Sequence, residues 1–163
     1  MHNEKFIFQP IGEIHSQHKE LSRIPIQPVF CTDIKGTVSV DAEYVDGLKG
    51  LDGFSHIYLF YYFHKSEKVC LQLKPYLSDQ PQGIFSTRAP HRPNKLGMSI
   101  VRLDKIEHNV LHVRDVDILD GTPLLDIKPY IQRFDSRDNV TSGWQDSVPD
   151  NIASVQGKRE FGA

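Results

Sequence analysis

Residues 98–119, MSIVRLDKIEHNVLHVRDVDIL, decide the fold class. Two runs of alternating apolar and polar side chains, 98–107 and 110–117, meet at His108-Asn109, where asparagine tolerates the positive φ of a tight turn. The pattern predicts an antiparallel β-hairpin. Outward from it, short runs rich in β-branched and aromatic residues recur between Gly, Pro, Asn and Asp, and long helical periodicity is lacking. Strands are predicted over 6–15, 36–40, 54–63, 82–86, 98–107, 110–117 and 124–130, with one short helix over 45–51. In 54–64, Ser55, Ile57, Leu59, Tyr61 and Phe63 share one face, and Phe54, His56, Tyr58, Phe60, Tyr62 and His64 the other. Both faces are largely apolar, so this strand is expected to be central and covered on each side. Six or seven such strands with few helices predict an all-β, mainly antiparallel fold: a small single-sheeted barrel, closed or nearly so, which also removes exposed edges.

A chain of 163 residues with 39% hydrophobic composition supports one domain with its own core. The barrel is expected over 1–135. Residues 136–163 are polar and broken by Gly and Pro, which predicts a tail that is loosely packed or contacts a dimer mate, with Trp144 as its docking side chain. A net charge of -2 and a pI near 6.4 exclude a polycation, so any nucleic-acid binding must come from a local patch. Cys31 and Cys70 form no CxxC, which leaves neither a disulfide framework nor a cysteine zinc site and predicts reduced thiols. The first fifteen residues carry no signal-peptide core, and no stretch approaches the roughly 18 apolar residues of a membrane span. A soluble, cytoplasmic protein is expected.

Charge is unevenly spread. Between Ile84 and Lys105 stand Arg88, Arg92, Lys95, Arg102 and Lys105 against the single acid Asp104. The core of this patch, STRAPHRPNKLGMS (86–99), is stiffened by two prolines, and rigid arginine loops hold carboxylate or phosphate through paired hydrogen bonds. A second cluster, DVDILDGTPLLDIKPYIQRFD (115–135), carries Asp115, Asp117, Asp120, Asp126 and Asp135. Such carboxylates suit a metal, general acid/base chemistry or sugar hydroxyls, while Asp120-Gly121 and Thr122-Pro123 equally build a turn and Asp115 and Asp117 read as a solvated strand face. The histidines, His15, His18, His56 and His64 among them, lack a zinc-ligand spacing, so no metal is expected; His64 reads as either a pocket-lining or a backbone-satisfied residue. Ser86 and Ser99 lack a nucleophile elbow, and Gly47, Gly50 and Gly53 do not form a dinucleotide loop.

The strings PIGEIHS (10–16), FSHIYLFYYFHKS (54–66), GIFSTRAPHRPNKLGMSIVRL (83–103) and LDGTPLLDIKPYIQRFD (119–135) together resemble the TrmO family of tRNA methyltransferases, also called the TsaA-like or VirR/YaeB family. The resemblance implies an antiparallel β-barrel, distinct from Rossmann methyltransferases, that works as a homodimer. It implies methyl transfer from S-adenosylmethionine to the exocyclic amine of threonylcarbamoyladenosine at tRNA position 37.

By the same resemblance the cofactor pocket collects Pro25, Ile26, Gln27, His64, Lys65, Arg88, Met98, Ile118, Leu119, Asp120 and Gly121. Arg88 suits the cofactor's carboxylate and Asp120 its ribose hydroxyls. Backbone groups near Leu119 and Met98 suit the adenine edge, and Phe85 or a tyrosine the sulfonium. Asp126 and Tyr130 are candidate proton acceptors, and Arg92, Lys95 and Arg102 are candidates for RNA phosphates, with Tyr58 and Tyr62 as a stacking face. The sequence departs from the family pattern at Ile26, where a basic residue is common, and at Met98, where Leu is usual. Some bacterial relatives continue into a further C-terminal domain where this sequence has only its tail, so a substrate grip from that domain is expected to be absent or replaced by the dimer mate. Two rival readings stand beside this one: a non-catalytic RNA-binding barrel, and a methyltransferase of the same family with another acceptor.

Overall fold

In the computed structural model, which describes residues 5–30 and 32–152, six antiparallel strands close into a barrel. They are β1 (Gly12–Ser16), β2 (Lys35–Val40), β3 (His56–Tyr62), β6 (Leu96–Glu107), β7 (Val110–Arg114) and β8 (Thr122–Pro129), in the order β1-β2-β7-β6-β3-β8 with β8 returning to β1. A separate two-stranded ribbon joins β4 (Gln72–Leu73) to β5 (Gln82–Gly83).

The period of two along each strand supplies the interior. Ile14, Val38, Ile57, Leu59, Val101, Leu111 and Leu124 are fully buried in the barrel, while their sequence neighbours face outward. At about 1.5–3 kcal/mol for each fully buried aliphatic side chain, this cluster holds the closed sheet together.

Several expectations change in detail. Ahead of Gly12 the described residues form no strand, although Ile11 donates to the Leu124 carbonyl and accepts from the Asp41 N–H, so β1 is shorter than predicted. The predicted strand 82–86 pairs only over Gln82–Gly83 and then tightens into the 3₁₀ turn Ile84–Ser86. The expected helix 45–51 is replaced by two 3₁₀ segments, Ala42–Leu48 and Leu51–Gly53. The β6–β7 turn places His108, rather than Asn109, at positive φ (56°); Asn109 instead donates its side-chain amide to the Val40 carbonyl at 2.8 Å. Strand β3 is covered on its inner face only. Ile57, Leu59 and Tyr61 are buried, whereas the outer row His56, Tyr58, Phe60 and Tyr62 is half-buried to exposed. Cys70 is half-buried with a free thiol, and Cys31 lies outside the described residues.

Beyond β8 the chain forms a single helical turn, α1 (Gln132–Asp135), and continues through a 3₁₀ turn at Gly143–Ser147. The Trp144 indole Nε1 donates to the Ser86 carbonyl at 2.9 Å, fastening the described part of the tail to the segment that follows β5.

Candidate functional site

One end of the barrel opens into a cleft of about 1890 Å³. Its walls come from the arginine loop between β5 and β6, the segment after β3, the 24–29 segment, the turn between β7 and β8, and the tail at Trp144. The arginine loop is held from within. Arg92 Nη1 donates to the carbonyls of Ile84 (3.2 Å) and Thr87 (2.7 Å), and its guanidinium stands 6.0 Å from the Phe85 ring centroid. The nearly buried Ser66 hydroxyl donates to the Pro90 carbonyl at 3.0 Å and lies 3.1 Å from His91 Nδ1, joining this loop to the one after β3. Freed from bracing, Arg88 reaches across the cleft and donates from Nη1 to Gln27 Oε1 at 2.5 Å.

The opposite wall is fixed by the end of β1. Ser16 Oγ donates to the Ile118 carbonyl (2.6 Å), His18 Nε2 lies 2.8 Å from the Val116 carbonyl, and Gly121, at φ 73°, sends its N–H to the Ile14 carbonyl. These bonds lock the 116–121 backbone with Ile118 and Leu119 in the cleft lining.

At the floor sits a buried polar relay. Ser99 Oγ donates to Asp117 Oδ1 at 2.6 Å, and Tyr61 Oη lies 3.0 Å from Ser99 Oγ. Because the Ser99 proton is committed to the carboxylate, the Tyr61 hydroxyl is the donor in the second bond. Asp117 is only 8% exposed, so desolvation raises its carboxyl from 3.8 to about 7, against the opposing pull of Ser99, its own backbone N–H and Arg88. Burial likewise raises the Tyr61 phenol far above its usual range. Burial, aided by the Lys65 charge, lowers His64, which keeps that imidazole neutral at physiological pH.

The cleft unites Ile26, Gln27, His64, Lys65, Phe85, Arg88, Met98, Ile118 and Leu119, and Arg92 also lines it. Pro25 is absent from the lining, as are Asp120 and Gly121. The Asp120 carboxylate turns to the other side of its turn, where it accepts from the Ser16 N–H (3.0 Å) and pairs with Lys19 at 2.5 Å, an arrangement that lowers its pKa chiefly through the Lys19 hydrogen bond. It borders an outer groove of about 970 Å³ on β1, β2, β6 and β7, which also holds Arg102.

Lys95 adopts positive φ (50°) at the turn into β6 and is not part of the cleft lining. Asp126 and Tyr130 also lie outside it. Asp126 pairs with Lys128 at 2.8 Å, and the Tyr130 ring packs against Tyr58 at 5.9 Å and His56 at 6.4 Å. The aromatic row adjoins the cleft nonetheless, because Tyr58 and Phe60 pair in register with Ile100 and Met98, both of which line it.

Asp117 and Tyr61 are the cleft residues that sequence reasoning missed. Asp117, read as part of a solvated strand face, is buried because the chain leaves β7 at Arg114 and turns inward with Val116 and Ile118. The signal available in the sequence was the apolar flank on both sides of the aspartate. Among the described residues, no group of three or more His, Cys, Asp or Glu is arranged to hold a metal ion.

Residues 13–136 match the model of the tRNA-methyltransferase O N-terminal domain. The chain belongs to the TrmO family. A crystal structure of TrmO from Pseudomonas aeruginosa superposes with a TM-score of 0.73 at 36% identity, covering 86% of this chain and 63% of that one. A Pyrococcus abyssi protein named "Probable S-adenosyl-L-methionine-binding protein" is 48% identical over 95% of this chain and 83% of its own length. The human tRNA (adenine(37)-N6)-methyltransferase is 34% identical over 81% of this chain but 32% of its own length. The match to this chain thus spans most of the archaeal relative, just under two thirds of the solved TrmO chain and about a third of the human enzyme.

Proposed function

We propose that this protein is an S-adenosylmethionine-dependent tRNA methyltransferase that methylates the N6 amine of threonylcarbamoyladenosine at position 37, acting as a cytoplasmic homodimer. The observation that carries the reading is the convergence of Arg88 with the Ile118-Leu119 turn in one cleft of a TrmO-family barrel. The names of the Pyrococcus abyssi and human relatives support the cofactor and the tRNA adenine, respectively.

The residues present fit the cofactor. Met98, Ile100, Phe63 and Trp144 offer apolar and aromatic wall for a nucleoside and a thioether chain, and Arg88 offers a cation for its carboxylate. When bound, the cofactor supplies a methyl group on a positively charged sulfur, so the protein's task is alignment and exclusion of water rather than covalent help. Arg88, braced by Gln27, orients the amino-acid end; neutral His64 adds no competing positive charge. Cations at Lys95 and Arg102 would meet RNA phosphates outside the cleft, and Tyr58 and Tyr62 would stack a base. Asp126 and Tyr130, on the outer face, would act on the acceptor nitrogen only where a second subunit or the RNA itself brings the reacting atoms to that face.

Mass spectrometry of tRNA nucleosides from cells with and without the gene tests the reading. Loss of N6-methyl-threonylcarbamoyladenosine, restored by the purified protein with S-adenosylmethionine, is expected. An unchanged nucleoside profile would overturn it.

A further inference from the structure

A carboxylate at the floor of a ligand cleft has to be accounted for. Asp117 has one oxygen engaged by Ser99, and no Lys, Arg or His ion pair to it is found among the described residues. The buried Ser16, Ser66 and Thr122 hydroxyls, by contrast, donate to main-chain carbonyls, those of Ile118, Pro90 and Leu119. A buried anion of this kind costs stability unless a cation meets it.

The groups facing Asp117 are Tyr61 from β3, Ser99 from β6 and Arg88 from the arginine loop; His64 and Lys65 after β3 and Asp115 on its own segment line the same cleft. Of these, Arg88 is the cation whose charge acts on Asp117, yet its guanidinium is committed to Gln27 and exposed. The relay Tyr61 to Ser99 to Asp117 uses hydroxyl donors, and a carboxylate accepts up to about four hydrogen bonds, so Asp117 retains acceptor capacity for a ligand donor.

An arginine and a carboxylate within electrostatic reach of each other in one cleft match a zwitterion, which carries its negative and positive groups on a single carbon. Resting on the S-adenosylmethionine reading above, we propose that Asp117 is the anionic subsite that receives the α-ammonium group of the cofactor while Arg88 receives its α-carboxylate. Serine and tyrosine hydroxyls hold the carboxylate in place from behind.

A proton signature follows. Unliganded Asp117, raised to about 7, is mostly protonated at mildly acid pH. A bound ammonium favours the ionised form, so binding expels that proton and affinity climbs about tenfold per pH unit up to about 7. Above roughly 7.7–8.0 the free amino group of the ligand loses its own charge and affinity declines again.

The test is calorimetry of the full chain at about pH 6, a unit below the raised carboxyl, in buffers of differing ionisation heat. The probes are S-adenosylmethionine, S-adenosylhomocysteine and 5′-methylthioadenosine. Close to one proton is expected to leave per molecule of the first two and none with the third, which lacks the amino-acid end. Asp117→Asn is expected to abolish the release and flatten the affinity below neutrality. Should that variant fail to fold, Ser99→Ala, which strips a donor from the carboxylate, is expected to move the release to higher pH. Binding without proton release, or release that survives in Asp117→Asn, overturns the subsite alone. Release with S-adenosylmethionine but not S-adenosylhomocysteine would put the anion at the sulfonium and overturn it as well. Failure of all three to bind the wild-type protein overturns the cofactor reading and the subsite together.

Discussion

Gly97 lies directly against the ring of Tyr61, so that a Cβ built on it would stand 2.2 Å from Tyr61 Cε2. The two residues pair across β3 and β6, and the missing side chain is what lets the phenol reach Ser99. Gly97→Ala is therefore expected to push Tyr61 off its rotamer and lower stability by about 1–3 kcal/mol. Tyr61→Phe, which keeps the ring and deletes one hydrogen bond, is expected to cost only about 1 kcal/mol. Urea unfolding of both variants checks the order; equal losses would refute it.

The raised carboxyl of Asp117 makes stability depend on pH. Its value in the fold, about 7, exceeds the ordinary 3.8, so the folded chain binds a proton that the unfolded chain releases. Unliganded stability falls as pH rises through that window and is level above it. Asp117→Asn is expected to be more stable than wild type above about pH 7, by on the order of 2–4 kcal/mol, and to lose that advantage near about pH 4. A stability difference that does not change with pH would contradict this.

Arg88→Ala is expected to raise the dissociation constant for S-adenosylmethionine by at least about tenfold, corresponding to loss of a charge-assisted hydrogen bond of about 1.5–3 kcal/mol. Melting temperature should move little, since the guanidinium is exposed and its hydrogen bond goes to the Gln27 side chain. Isothermal calorimetry decides, and an unchanged constant removes Arg88 from the site.

Arg92 and Lys95 are expected to separate. Arg92→Ala removes the brace to Ile84 and Thr87, so it should lower stability by about 1–3 kcal/mol. Lys95→Ala should leave stability unchanged and reduce the slope of log affinity for tRNA against log salt by about one. Filter binding at several salt concentrations, with a thermal melt, reads both.

Asp126→Asn is expected to retain its cofactor affinity, because the carboxylate faces Lys128 on the outer surface. A single-turnover rate equal to wild type would also end its candidacy as proton acceptor; a fall with cofactor binding intact would place the reacting nitrogen at that face.

The barrel was legible because alternation along the strands reports which side chains face inward, and Ile57, Leu59, Val101, Leu111 and Val113 all obey it. Loops follow no such period. Asp120 was expected in the cofactor pocket, yet its side chain leaves the turn toward Lys19, while Asp117, three residues earlier, enters the cleft. Which way a turn residue points depends on bonds from Ser16 at the end of β1 and His18 just after it, contacts about a hundred residues distant that no local pattern reveals. Charge misled for a similar reason: an aspartate is assigned to solvent by default, and only the surrounding fold can bury it. Arg92 was counted as free for phosphate because the loop's need for internal donors is invisible until its carbonyls are seen converging.

Trp144 is the sole tryptophan of the chain, and its indole is tied to the Ser86 carbonyl beside the arginine loop. Tryptophan emission, excited selectively at wavelengths the tyrosines do not absorb, is therefore a single-origin signal arising at the rim where ligands would enter. Occupancy, loop displacement and detachment of the tail can be followed optically on the native polypeptide, with no attached dye.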